Sequence, residues 1–204
     1  MIRKRIGGLL IVIGILLMAA AGLLLFRNNE DQVAAENASQ EALERLEPII
    51  MTVPETDPDD PTEIPDFQRN PDMDMPTEII DGVEYVGTIE IPLLGIKLPV
   101  INTSTKANLK KAPCRYCGST YQNNLVIGAH NYNSHFGRLK TLSYGDEIII
   151  CDLDGNEFRY QVADIEILQP NQLEDLIHSD WALTLYTCTI GGRSRVVVRC
   201  EIME

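Results

Sequence analysis

Hydrophobic and polar positions alternate most regularly near the end of this chain, over Ala182 to Cys200, ALTLYTCTIGGRSRVVVRC. Leu183, Leu185 and Thr187 alternate with Thr184, Tyr186 and Cys188, a period of two that predicts a β-strand ending on a cysteine. Gly191 and Gly192 then supply the permissive backbone of a tight reversal. A second strand is expected after them, with Val196, Val198 and Cys200 on one face and Arg195, Val197 and Arg199 on the other. Such a hairpin brings a thiol at the end of one strand beside a guanidinium at the start of the next.

The same period recurs upstream. Tyr85 to Ile91 and Ile96 to Ile101 read as two strands joined by Pro92 to Gly95, and Asn124 to His130 as a third. Asp146 to Asp152 is a fourth, and Asp154-Gly155 is a hairpin signal leading into the long run Asn156 to Leu168. That run is expected to bend into two strands near Ala163 and Asp164. With the closing pair the count reaches eight, which predicts an all-β barrel or sandwich. Helix is confined to short turns at Phe136 to Ser143 and Gln172 to His178.

The start of the chain has another character. Ile6 to Phe26 is apolar and uncharged, long enough at ~1.5 Å per residue to cross a ~30 Å hydrocarbon core. Arg3, Lys4 and Arg5 precede it, so the positive-inside rule keeps the N-terminus cytoplasmic and sends the remainder outside. The run exceeds the ~7–15 residues of a signal-peptide core, which favours a retained single-pass anchor over a cleaved leader. No membrane segment is expected after the last strand.

Charge divides the rest. The chain carries a formal net charge of −13, and the segment 28–78 alone sets fifteen acidic residues against Arg45 and Arg69. Seven of the eleven prolines lie between Pro48 and Pro76. This composition predicts a solvated, extended tether, although Asp31 to Glu47 has helical composition. The expected organisation is therefore 1–27 anchor, 28–80 linker and 81–204 folded domain. A chain starting near Asp81 is expected to fold and work alone. No nucleic-acid partner is expected of so acidic a protein.

Five cysteines in an extracytoplasmic domain leave at least one unpaired. Cys114 and Cys117 form a lone CxxC, with a local disulfide or no role favoured over redox catalysis. Cys151 and Cys200 sit in apolar strand patterns and read as core. Cys188 remains as the candidate nucleophile. An unperturbed thiol near pKa 8.5 is mostly protonated at neutral pH, so it needs a base or cation nearby. Of the three histidines, His130 ends an apolar strand where functional residues commonly sit, and is preferred over His135 and His178. Arg195 starts the last strand and is preferred over Arg193 and Arg199 as a donor to a developing oxyanion. No acidic residues show calcium-ligand spacing, and neither a metal nor a cofactor is expected, with calcium modulation of the cleft left open.

With these residues in hand, the chain resembles the sortases, membrane-anchored cysteine transpeptidases of Gram-positive bacteria. TLYTC, Thr184 to Cys188, is similar to the family's TLxTC signature, and Arg195 matches its arginine at the start of the following strand. His130 matches the histidine that precedes an HFG-like segment, here His135 to Gly137, and Gly87 to Val100 has the family's character. The resemblance spans Tyr85 to Ile202. It implies an eight-stranded β-barrel with a few short helices. It also implies cleavage of LPXTG-like sorting signals on secreted proteins through a thioester on Cys188, with His130 as acid and base. Arg195 would stabilise the oxyanion and Thr187 would contact substrate. The acyl group would pass to an amine of a cell-wall precursor or to a pilin lysine. A class A or D-like anchoring enzyme fits best, because the DP-aromatic lid motif of class C and the long helix of class B are missing. The competing readings are a cysteine hydrolase, disfavoured because His130 precedes Cys188, and a non-catalytic surface module.

Overall fold

The computed structural model describes residues 2–52, 64–172, 174–177 and 180–203. Its strands are β1 (Glu78–Ile80), β2 (Val83–Ile91), β3 (Ile96–Ile101), β4 (Cys114–Cys117) and β5 (Leu125–Ala129) in the first half. The second half adds β6 (Glu147–Asp152), β7 (Glu157–Leu168), β8 (Leu183–Cys188) and β9 (Arg195–Ile202). The strand order is β2-β3-β4-β5-β8-β9-β7-β6, and β6 pairs back onto β2 to close an eight-stranded barrel. β1 pairs only with the first residues of β2. The all-β barrel expected from the pattern is the fold observed.

Alternate residues of each strand fill the barrel. Ile89, Ile91, Leu98, Val100, Leu125, Ile127, Ile148, Ile150, Leu183, Leu185, Val196 and Val198 form one cluster. Phe136, Leu139 and Leu142, from the turn after β5, join the same cluster. Only two neighbouring pairs are parallel, β3 with β4 and β5 with β8. The second is decisive for the site, because the C-terminal ends of β5 and β8 emerge side by side.

Two strand assignments are corrected. The CxxC segment is itself a strand, β4, paired with β5 and with the end of β3. It is too short and polar to show a period of two. The run ending at Leu168 stays one strand. A bulge between Val162 and Asp164 bends it at the expected place, but pairing with β9 continues on both sides. One extra residue changes direction without ending the ladder.

The tether expectation is corrected where the structure describes it. The helix α1 (Ile2–Met51) takes in the segment of helical composition, and the packed unit runs from Ala35 to Glu204. Ala35, Ser39, Ala42 and Leu46 recur at spacings of three and four and are buried, the signature of one helix face against a core. Leu46 and Ala42 pack with Tyr85, Ile101, Ala112, Cys114 and Leu153. Arg45 bonds Asp81 and Lys97 bonds Glu47, both at 2.8 Å. Further on, the one-turn α2 (Asp66–Arg69) lays Phe67 against Tyr121 with ring centroids 4.9 Å apart, and Met75 is buried in the main cluster. Acidic residues face solvent here while a sparse apolar face packs, so composition alone misleads. The unit Met1–Ala34 contains an apolar stretch that is long and apolar enough to cross a membrane by length and composition.

Candidate active site

Cys188 is the last residue of β8 and lies on the outer face of the barrel with Thr184 and Tyr186. Its cross-strand partner is Arg195, the first residue of β9. In the parallel register of β5 and β8, Ala129 is opposite Thr187. His130 follows Ala129 and Cys188 follows Thr187, so the two residues stand at the same end of neighbouring parallel strands. The three candidates that lie far apart in sequence thus meet at one end of the barrel.

Burial separates the five thiols. Cys188 is exposed, Cys114 and Cys200 are buried, Cys117 and Cys151 are half-buried, and all five are free. Desolvation disfavours the thiolate, pushing Cys114 up to about 12 and Cys151 up to about 11, with Cys117 and Cys200 also raised. Those four are held protonated, and Cys188 is the thiol most open to solvent.

The arginines separate in the same way. Arg193 is exposed in the turn. Arg199 is 3% exposed, with Nε 2.8 Å from Glu166 and further donation to Thr184 Oγ1 and the Asp175 carbonyl. Its donors are spent on holding β7, β8 and the one-turn helix α3 (Glu174–Ile177) together. Arg195 is half-buried and faces the thiol.

Thr187 and His135 are both enclosed. Thr187 points inward and is 2% exposed, and its hydroxyl donates to the Ala129 carbonyl oxygen at 2.8 Å. Its side chain clamps the ends of β5 and β8 and has no free donor to offer a substrate. His135 has no exposed surface, and burial pushes it down to about 4. It is neutral and sits behind the site. His178 lies outside the described residues.

An aromatic pair next to the site is not legible in the strand pattern. The Tyr186 ring lies across β5 at Gly128, where a Cβ would sit 2.4 Å from its Cζ. Tyr116 meets Tyr186 edge-on at 5.9 Å, and burial pushes the Tyr186 phenol up to about 12. Tyr116 also borders a cleft of about 510 Å³ shared with Asp72, Asp74, Arg115 and Gln122. A glycine inside an otherwise apolar strand was the available signal, since it marks a close approach. Among the described residues no group of three or more His, Cys, Asp or Glu is arranged to hold a metal ion.

This arrangement can support acyl transfer: an exposed thiol, an imidazole at the neighbouring strand end, a guanidinium opposite, and an aromatic pair next to them. Comparison with known proteins agrees. The sortase-domain family model matches residues 89–203. Sortase A of Bacillus anthracis is 27% identical over 189 residues, covering 87% of this chain and 85% of that protein. Among solved structures, sortase C1 of Streptococcus agalactiae is 27% identical with a TM-score of 0.52, over 62% of this chain and 71% of that one. Streptococcus pneumoniae sortase C, described for its pilin substrate specificity, is 25% identical with a TM-score of 0.52, over 59% and 69% respectively. With the family model matched over more than half of this chain and laid on a closed barrel, this chain belongs to the sortase family of cysteine transpeptidases that act on protein sorting signals.

Proposed function

We propose that Cys188 is the nucleophile, His130 the acid and base, and Arg195 the oxyanion donor of this transpeptidase. The Cys188 thiolate attacks the threonyl carbonyl of an LPXTG-like signal, and Arg195 bonds the oxygen that gains charge. The carbon–nitrogen bond breaks, the leaving amine takes a proton from His130, and a thioester remains. An incoming amine attacks the thioester and gives its proton to His130, and the carbon–sulfur bond breaks to release the Cys188 thiolate. Thioesters favour aminolysis, which is a physical reason to use sulfur. The observation that supports this reading is the parallel register of β5 and β8, which sets Ala129 opposite Thr187, the residues that immediately precede His130 and the one exposed thiol.

The basic triplet Arg3, Lys4 and Arg5 before the apolar stretch supports an N-terminus in the cytoplasm and a barrel outside. The class A or D-like reading, with a cell-wall amine as acceptor, is supported by the sortase A likeness. A second reading, a pilin lysine as acceptor, is favoured by the sortase C neighbours. Incubating the enzyme with a sorting-signal peptide and either amine distinguishes the two by product mass. Cys188→Ala is expected to abolish thioester formation, and His130→Ala to slow acylation and deacylation alike by about 10²–10⁴-fold. A Cys188→Ala protein that still turns over would sink the mechanism.

A further inference from the structure

The docked half of α1 reaches the loop that carries His130 through Ser39. Ser39 is 2% exposed. Its hydroxyl donates to the Lys111 carbonyl oxygen at 2.6 Å and lies 3.1 Å from His135 Nε2. A serine hydroxyl has one proton to give. With that proton on Lys111, Ser39 Oγ accepts from His135, which fixes the imidazole as its Nε2–H tautomer. The Ala35 carbonyl, one turn earlier on the helix, faces the same ring. His135 stays neutral at ordinary pH because burial holds it down to about 4. It is a fixed donor and exchanges no proton.

His135 is joined to His130 by the folding of the intervening loop. Phe136 N donates to the His130 carbonyl oxygen at 3.3 Å, and His135 N and Gly137 N both donate to the Tyr132 carbonyl oxygen. A Cβ at Gly137 would lie 2.5 Å from the Asn131 carbonyl oxygen, so the loop closes on itself as tightly as glycine permits. The Tyr132 ring sits 4.9 Å from that of His130 and 5.6 Å from that of His135. Ser39, His135 and Tyr132 are all buried. Their contacts form an unbroken path from the helix to the imidazole of His130.

We propose that Ser39 is a positioning residue for transpeptidation: by fixing the tautomer and plane of His135, it sets Tyr132 and so the ring of His130 against Cys188. The inference rests on the proton-transfer role given to His130 above. It makes the membrane-proximal helix part of the reaction machinery rather than a spacer. Misplacing a catalytic group by a fraction of an ångström costs rate without weakening substrate binding.

The test uses the full chain in detergent, with an LPXTG-type peptide as acyl donor and hydroxylamine as the amine. Ser39→Ala is expected to lower kcat about five- to ten-fold, the effect of losing roughly one net hydrogen bond, with KM unchanged. Ser39→Thr keeps the hydroxyl and restores most of the rate. Leu46→Ala, on the same helix face but away from the loop, lowers Tm and leaves kcat intact. In a His130→Ala background Ser39→Ala adds no further loss, because the effect passes through His130. Unchanged kcat in Ser39→Ala overturns the inference, provided His130→Ala is crippled. A loss that persists in full in the His130→Ala background overturns it too. An active His130→Ala enzyme overturns instead the role assigned to His130.

Discussion

Arg195 and Arg199 share one face of β9, yet their surroundings give them different work. Arg199 is enclosed, with its donors spent on Glu166, Thr184 and Asp175, while Arg195 stands half-open across from Cys188. Glu166 is partly open to solvent, so removing Arg199 costs mainly the bonds lost by the Thr184 hydroxyl and the Asp175 carbonyl, about 1–3 kcal/mol. Arg199→Ala is therefore expected to lower the unfolding midpoint while the folded enzyme keeps its kcat. Arg195→Ala is expected to lower kcat about 10²–10³-fold at nearly unchanged stability, and Arg195→Lys to recover part of that, since it keeps charge but loses the planar fork. Thermal melts paired with turnover assays separate the two, and a crippled Arg199→Ala with an active Arg195→Ala would reverse the assignment. Residue type made each arginine a candidate. Enclosure, a property of neighbours remote in sequence, distinguished them.

At the scale of elements, the strands with a clear period of two were legible, and the exceptions have physical causes. β4 has four residues and two of them are cysteines flanking Arg115 and Tyr116, so pairing with β5 makes it a strand rather than any pattern of its own. The docked half of α1 hides behind an acidic composition because its buried positions are mostly Ala and Ser, which weigh little on any hydrophobic scale. Those small residues let the helix approach closely, and Leu46 supplies the large contact. Burying a leucine fully contributes roughly 1.5–3 kcal/mol. A chain starting near Asp81 would uncover Tyr85, Ile101, Ala112 and Leu153. It is expected to unfold several degrees lower than one starting before Ala35, in a denaturation series of both. Equal midpoints would show that the helix contributes nothing to the fold.

For the whole molecule, folding is linked to pH through His135. Its folded value of about 4 lies below the ordinary value near 6.5, so the unfolded chain binds the proton more readily than the native one. Stability from this source is fully present above pH ~6.5, declines as pH falls, and is lost by about pH 4. The contribution is on the order of 3 kcal/mol. Unfolding midpoints measured between pH 7 and 4 are expected to fall, and His135→Gln to flatten that slope. A slope indifferent to the substitution would place the acid sensitivity elsewhere.

The sequence by itself determined the apolar N-terminal stretch, the period-two strands of a barrel, and the short list of reactive side chains, because each is written in local residue order. Tertiary structure decided what local order cannot express. The parallel pairing of β5 with β8 brings together the strand ends that lead to His130 and Cys188, although β6 and β7 lie between them in sequence. Thr187 turned inward as a clamp between the strand ends. Gly128 made room for Tyr186, and Ser39 came to rest on His135. Each of these depends on which distant segments the closed barrel brings into contact, and a reading of neighbours along the chain carries no information about that.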